Sequence, residues 1–223
     1  MSNYSELLLR ISSLSIILFL PIIIILTNTL SLTYNGNFYL KTYQKLKVYE
    51  KFENDKVVTN ATEELLSYFR GKKELEHNIF SQQAKIHLRD VKSLLNSASI
   101  VNYLALTLVI ISSLLLLIKG RWTLLVKSAF IGSILTVIIT FFLFSLSVFD
   151  FSFFFEKFHL ISFSNNFWLF PGNDNLIKLF PESFFVNFLF RLTLNIIITA
   201  ILFIISTALL NFYVKSLSKN RPS

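Results

Sequence analysis

Four stretches without a single charged side chain constrain this sequence more than anything else in it: Ile11–Leu32, Ile100–Ile118, Ser128–Ser147 and Leu192–Val214. A hydrocarbon core of about 30 Å needs roughly 20 apolar residues in helical form, since nothing in lipid satisfies an open backbone. Each window meets or approaches that length, so the pattern predicts an all-α membrane protein with four transmembrane helices. The spans are placed at 11–32, 99–118, 124–147 and 188–214, with residues 33–98 and 148–187 joining them on one side. The first window is too long for a signal-peptide core of about 7–15 residues, and no small-x-small site follows it. Pro21 is expected to kink that helix.

Charge gives the orientation. Arg10, Lys119, Arg121, Lys127, Lys215, Lys219 and Arg221 flank the spans on one side, against the single acid Glu6. The 148–187 segment instead holds two lysines and four acids. The positive-inside rule puts both termini and the 119–127 turn in the cytoplasm, and the two long segments outside as a small, mainly helical extracellular cap. The net charge of +8 is divided between these anchors and the mixed-charge 33–98 segment. It therefore points to anionic lipid headgroups as partners and not to nucleic acid. With no cysteine in the chain, there is no disulfide, thiolate nucleophile or cysteine metal site.

Within 33–98, apolar residues at Tyr39, Tyr43, Leu46, Tyr49 and Phe52 recur at helical intervals and predict an amphipathic helix. Thr62-Glu63-Glu64 has the chemistry of a cap for a second helix ending at Gly71, and Ser81 that of a cap for a third, running on toward the second span. In 148–187, Phe155, Phe158, His159 and Phe163 share one helical face. Asp174 suits the cap of a short turn, and Pro181 the first turn of the last helix.

Few side chains here can carry chemistry. His159 reads equally well as an acid–base group and as an interfacial histidine bonded to a headgroup or a backbone carbonyl. His87 has Asp90 one turn on, where a carboxylate can fix its tautomer, yet an ordinary charged-surface pair has the same spacing. His77 reads as solvated. No HxxxH, HExxH, GxSxG or glycine-rich phosphate loop occurs, so no metal, nucleotide or other cofactor is expected. Asp174 and Glu182 read as caps at least as readily as catalytic acids, and Trp168 as an interfacial aromatic. Among the polar groups of the spans Asn102 and Asn195 stand out, with Arg191 at the outer end of the last helix. Without a chain of ionisable groups there, a proton-coupled transporter is disfavoured.

The run FHLISFSNNFWLFPGNDNLIKLFPESFF (158–185) and the upstream IHLRDVK resemble the signature segments of the lipoprotein intramolecular transacylases, a bacterial integral membrane family. The matching elements include Phe158 with His159, Phe163, Trp168, Pro171, Asp174, Phe180-Pro181-Glu182 and the His87 block. The resemblance implies an acyltransferase whose substrate is a diacylated lipoprotein, with membrane lipids around it. In that reaction the sn-2 acyl chain moves from its glyceryl ester to the free α-amine of the N-terminal cysteine, giving a lyso form. It implies His159 and His87 as the catalytic pair, their roles open to exchange. Asp90, Asp174, Trp168 and Glu182 would support them, and Arg191, Phe158 and Phe163 would contact substrate.

Elementary chemistry agrees with such a reaction. Nucleophile and ester arrive in one molecule, ester-to-amide transfer is downhill, and a histidine is base enough for an amine of pKa about 7.7–8.0. A straight helix before Ile100 would lift His87 roughly 20 Å beyond it. The pair is therefore expected to meet through a bend near residues 96–99. A different outer-leaflet lipid acyltransferase or hydrolase, or a non-enzymatic membrane protein binding lipid or protein through its aromatic cap, are the other readings.

Overall fold

The structure is a computed structural model that describes residues 3–219, without the side chains of residues 3 and 214–219. The tail anchor Arg221 and the side chains of Lys215 and Lys219 thus lie outside it. In chain order the helices are α1 (Asn3–Thr33), α2 (Gly36–Lys45), a 3₁₀ turn (Tyr49–Lys51), α3 (Asp55–Phe69), α4 (Gln82–Ile118), α5 (Trp122–Phe149), α6 (Phe151–Ser162), α7 (Asn175–Leu179) and α8 (Glu182–Lys219). Four of them, α1, α4, α5 and α8, are long and apolar enough to cross a membrane. The chain divides into two compact units. The first holds α1 up to Asn28, Ser99–Leu143 and α8 from Thr193; the second holds Thr29–Ala98 and Phe144–Leu192.

In the first unit α1 is the hub. Its Ile16, Leu20 and Ile24 are buried, whereas many leucines, isoleucines and phenylalanines of the other helices face outward, as lipid-facing residues do. Small residues on α5 let it approach α1: a Cβ on Gly132 would lie 3.3 Å from the carbonyl oxygens of Ile16 and Ile17. Ser13 and Ser128 share a 2.7 Å hydroxyl contact one turn away, and Thr136 is fully buried one turn further on. This is the small-xxx-small packing that lipid, with no hydrophobic drive of its own, rewards. Pro21 lies inside α1 and has no N–H for the Ile17 carbonyl, the very group against which Gly132 closes. Asn102 donates to Thr27 at 3.1 Å and Asn28 to Thr199 at 3.4 Å, which ties α4 and α8 to α1. Asn102 is therefore an interhelical bond.

The second unit has its own core of Tyr39, Tyr43, Val58, Ala61, Leu65, Leu88, Leu176 and Phe184. Its local structure follows the caps in most places. Ser81 precedes α4 and accepts from the Ala84 N–H at 3.1 Å. Asp174 precedes α7 and accepts from the Leu176 N–H at 2.7 Å, and Gly71 follows α3 with φ +73. Three expectations need correcting. The amphipathic stretch from Tyr39 to Phe52 is not one helix, because Lys47 turns to φ 53 and leaves α2 and a separate 3₁₀ turn. Helix α3 starts earlier than expected, at Asp55, capped by Asn54, whose side chain accepts from Lys56 N; Thr62 is buried mid-helix and donates to the Val58 carbonyl at 2.7 Å. Residues 96–99 carry no break, for α4 is helical from Gln82 to Ile118.

Candidate active site

Asp150 makes the site possible. It ends α5 and caps α6, accepting from the Phe153 N–H at 2.9 Å. The new helix carries His159 against the first turns of α4, ahead of that helix's apolar span. There the His87 and His159 rings stack with centroids 6.0 Å apart and planes 29° from parallel. Both are buried, at 8% and 7% exposure, whereas Arg89 two positions on is exposed.

Aromatic rings enclose the pair. Phe155 lies 4.1 Å from His159, ring to ring, and Trp168 4.8 Å. Phe163 packs on both histidines, 5.1 Å from His87 and 5.6 Å from His159, and Phe170 on His87 at 5.6 Å. Phe158 touches His159 at 5.4 Å from its more exposed position. Such surroundings disfavour charge. Burial pushes the His87 pKa down to about 4, the neighbouring His159 adds to the fall, and the Asp90 carboxylate opposes it. Burial lowers His159 as well, against the raising effect of its bond to the Phe155 carbonyl. Both rings are neutral at neutral pH.

That bond fixes more than orientation. His159 Nδ1 lies 2.7 Å from the Phe155 oxygen, and a carbonyl only accepts, so the proton of the neutral ring sits on Nδ1. Nε2 is left with a free lone pair, a base. In His87 the Nδ1 atom is buried without a partner, and so is the indole Nε1 of Trp168.

The other expected site residues fall into place differently. Asp90 does not bond to His87. Its Oδ2 accepts from Asn165 at 2.9 Å, so its influence on the imidazole is through space. Asp174 is a cap and a tether, accepting from the Ser81 hydroxyl at 2.7 Å. Glu182 opens α8 and lines an apolar cavity of about 590 Å³ with Phe155, Trp168, Leu160, Ile177 and Phe185. Arg191 is exposed on α8 and is not part of that lining. His77 accepts from the Ile79 N–H at 3.3 Å, away from the pair. Among the described residues no cluster of histidine and acid side chains could hold a metal.

Sequence reasoning missed Gln83. Its amide donates to the carbonyls of Phe167 at 3.1 Å and Leu169 at 2.8 Å, pinning the backbone on both sides of Trp168. It also missed Phe170 and Asn165. Phe155 was visible as i−4 of His159 on one helical face, though not as the group that sets the tautomer.

A family model described as lipoprotein intramolecular transacylase Lit matches residues 14–185. Among solved structures, the chain is similar to the membrane-integral transacylase Lit from Bacillus cereus, with 24% identity, a TM-score of 0.82, and coverage of 99% of this chain and 100% of that one. Two further structures of that protein carry a histidine-to-alanine and a histidine-to-arginine mutation. They match at 23% identity with TM-scores of 0.80 and 0.81, covering 98% of this chain and 98% and 97% of theirs. At these identities the likeness speaks for the fold. No curated protein sequence matches.

Proposed function

The chain belongs to the lipoprotein intramolecular transacylase family, which makes it a membrane-embedded acyltransferase acting on lipoproteins, and from that membership we propose the transfer and its chemistry. The sn-2 acyl chain of a diacylglyceryl-cysteine passes to the α-amine of the same cysteine, with the site on the extracellular side and both termini in the cytoplasm. His159 is the base. The observation that carries this assignment is the 2.7 Å bond from Nδ1 to the Phe155 carbonyl, which leaves Nε2 unprotonated in a water-poor pocket.

The amine must be neutral to attack; an apolar pocket lowers the pKa of an arriving ammonium as it lowers that of histidine, so the ammonium gives up one proton to solvent on entering. As the N–C bond forms, the nitrogen becomes acidic and His159 Nε2 takes its proton. Collapse of the tetrahedral intermediate breaks the bond to the sn-2 oxygen, and His159 returns the proton there, so the enzyme ends unchanged. No acyl-enzyme is needed. His87, kept neutral, serves as a hydrogen-bond donor to the oxyanion and not as a charged acid. Trp168, with its unpaired N–H, is a second candidate donor. The apolar cavity along Phe155, Ile177 and Phe185 suits the acyl chain.

Mass spectrometry of lipoprotein N-termini in cells expressing the protein tests this reading. N-acyl lyso forms are expected. Free fatty acid with an unmodified amine would indicate a hydrolase, and diacyl forms alone would remove the activity.

A further inference from the structure

A second cavity, of about 220 Å³, is lined by Phe163. It differs from the apolar one in every respect that matters to a ligand. Asp90, Ser93 and Ser97 line one wall at i, i+3 and i+7, one face of α4; Ser162, Ser164 and Asn165 from the exit of α6 line the other. It is too small and too polar for an acyl chain. The only formal charge in the lining is the Asp90 carboxylate. Among the described residues no lysine or arginine forms an ion pair with it. Asn165 engages Oδ2 alone and spends its own oxygen on the Phe167 N–H. The four serine hydroxyls take no partner among the described residues.

A half-buried carboxylate without a counter-charge favours a cation, or at least a strong donor. The glyceryl diester of a lipid offers acceptors only, and an anionic headgroup without an amine would be repelled. The head of a peptide offers what is missing: an α-ammonium for the carboxylate, and alternating N–H and C=O groups for the hydroxyls. Phe163, which lines this cavity, also packs on both histidines, so a head bound here stands one ring away from the base.

We propose that this polar cavity is the receiving site for the N-terminal head of the lipoprotein peptide, with the arriving α-ammonium on Asp90 and the first main-chain amides on the serines of α4 and α6. The proposal rests on the transacylase reading for the identity of the peptide. It gives the substrate two addresses, an apolar cavity for the chain and a polar one for the amine, each lined by an aromatic ring that packs on His159.

The test measures binding, so that it stands apart from turnover. The probe is a cysteinyl peptide with ether-linked glyceryl chains, which cannot react, prepared with a free amine and with an acetylated amine. The full-length protein in nanodiscs should bind the free-amine form about tenfold more tightly. Asp90→Asn, which still accepts from Asn165, should bind both forms alike, and the double variant Ser93→Ala, Ser97→Ala should weaken both. Equal affinity for the two forms in the unsubstituted protein, or discrimination that survives Asp90→Asn, would overturn the proposal. Turnover of the matching diester is followed in parallel. Its absence counts against the transacylase reading, while the binding comparison still decides the cavity.

Discussion

Acidification should destabilise this protein through His87 in a way a single substitution removes. The imidazole is buried, with a pKa pushed from 6.5 to about 4. In the unfolded chain it titrates normally, so between these values the unfolded state binds the proton that the folded state refuses. Stability from this group is complete above pH 6.5 and is lost as pH falls toward 4. At 1.36 kcal/mol per pH unit the whole gap is ~3.4 kcal/mol, of which about 2 kcal/mol is expressed at pH 5. The assay is chemical denaturation in detergent at pH 8 and pH 5, for the unsubstituted protein and for His87→Gln, which does not titrate. His159 remains in both, so its own burial acts in each. The unsubstituted protein should lose about 2 kcal/mol more than the variant between the two pH values. Parallel losses would refute the picture of a charge-excluding pocket.

Other substitutions probe separate parts of the structure. Gln83→Ala frees the carbonyls on either side of Trp168; transfer should fall about 5- to 30-fold, the worth of ~1–2 kcal/mol, with a shift in tryptophan emission and normal membrane insertion. Ile177→Trp fills the apolar cavity, and mass spectrometry of products should show shorter acyl chains transferred; an unchanged chain profile would place the acyl chain elsewhere. Gly132→Leu drives a side chain into the Ile16 and Ile17 carbonyls, so the detergent melting temperature should drop sharply. Gly172→Leu meets open space and should leave it unchanged.

What the sequence disclosed and what it concealed divide by range. The spans were legible because a bilayer punishes every charge over a long window, and Ile100–Ile118 has none. Ser81 and Asp174 were legible because an N-cap bonds within three residues of itself. Thr62 misled because a threonine before acids has the chemistry of a cap wherever it stands, whereas here it sits buried inside a helix that Asn54 caps. The face joining Phe155 to His159 follows from helical spacing. Asp90 shows the limit. Its nearest-turn neighbour is His87, but its bonded partner is Asn165, which is 75 positions away. The clamp of Gln83 on Phe167 and Leu169 is as remote. The stacking of His87 on His159 was anticipated only through resemblance, and the expected bend was not the means: a capped restart at Asp150 brings the second histidine to an unbroken α4.

The central claim is that His159, with its proton held on Nδ1 by Phe155, is the base of an intramolecular acyl transfer. Its most direct test is N-terminal mass spectrometry of a diacylated lipoprotein after expression with the unsubstituted protein or with His159→Ala, both confirmed in the membrane. The account predicts N-acyl lyso lipoprotein from the first and only the diacyl form from the second. Lyso product at near-unsubstituted levels from His159→Ala would contradict it.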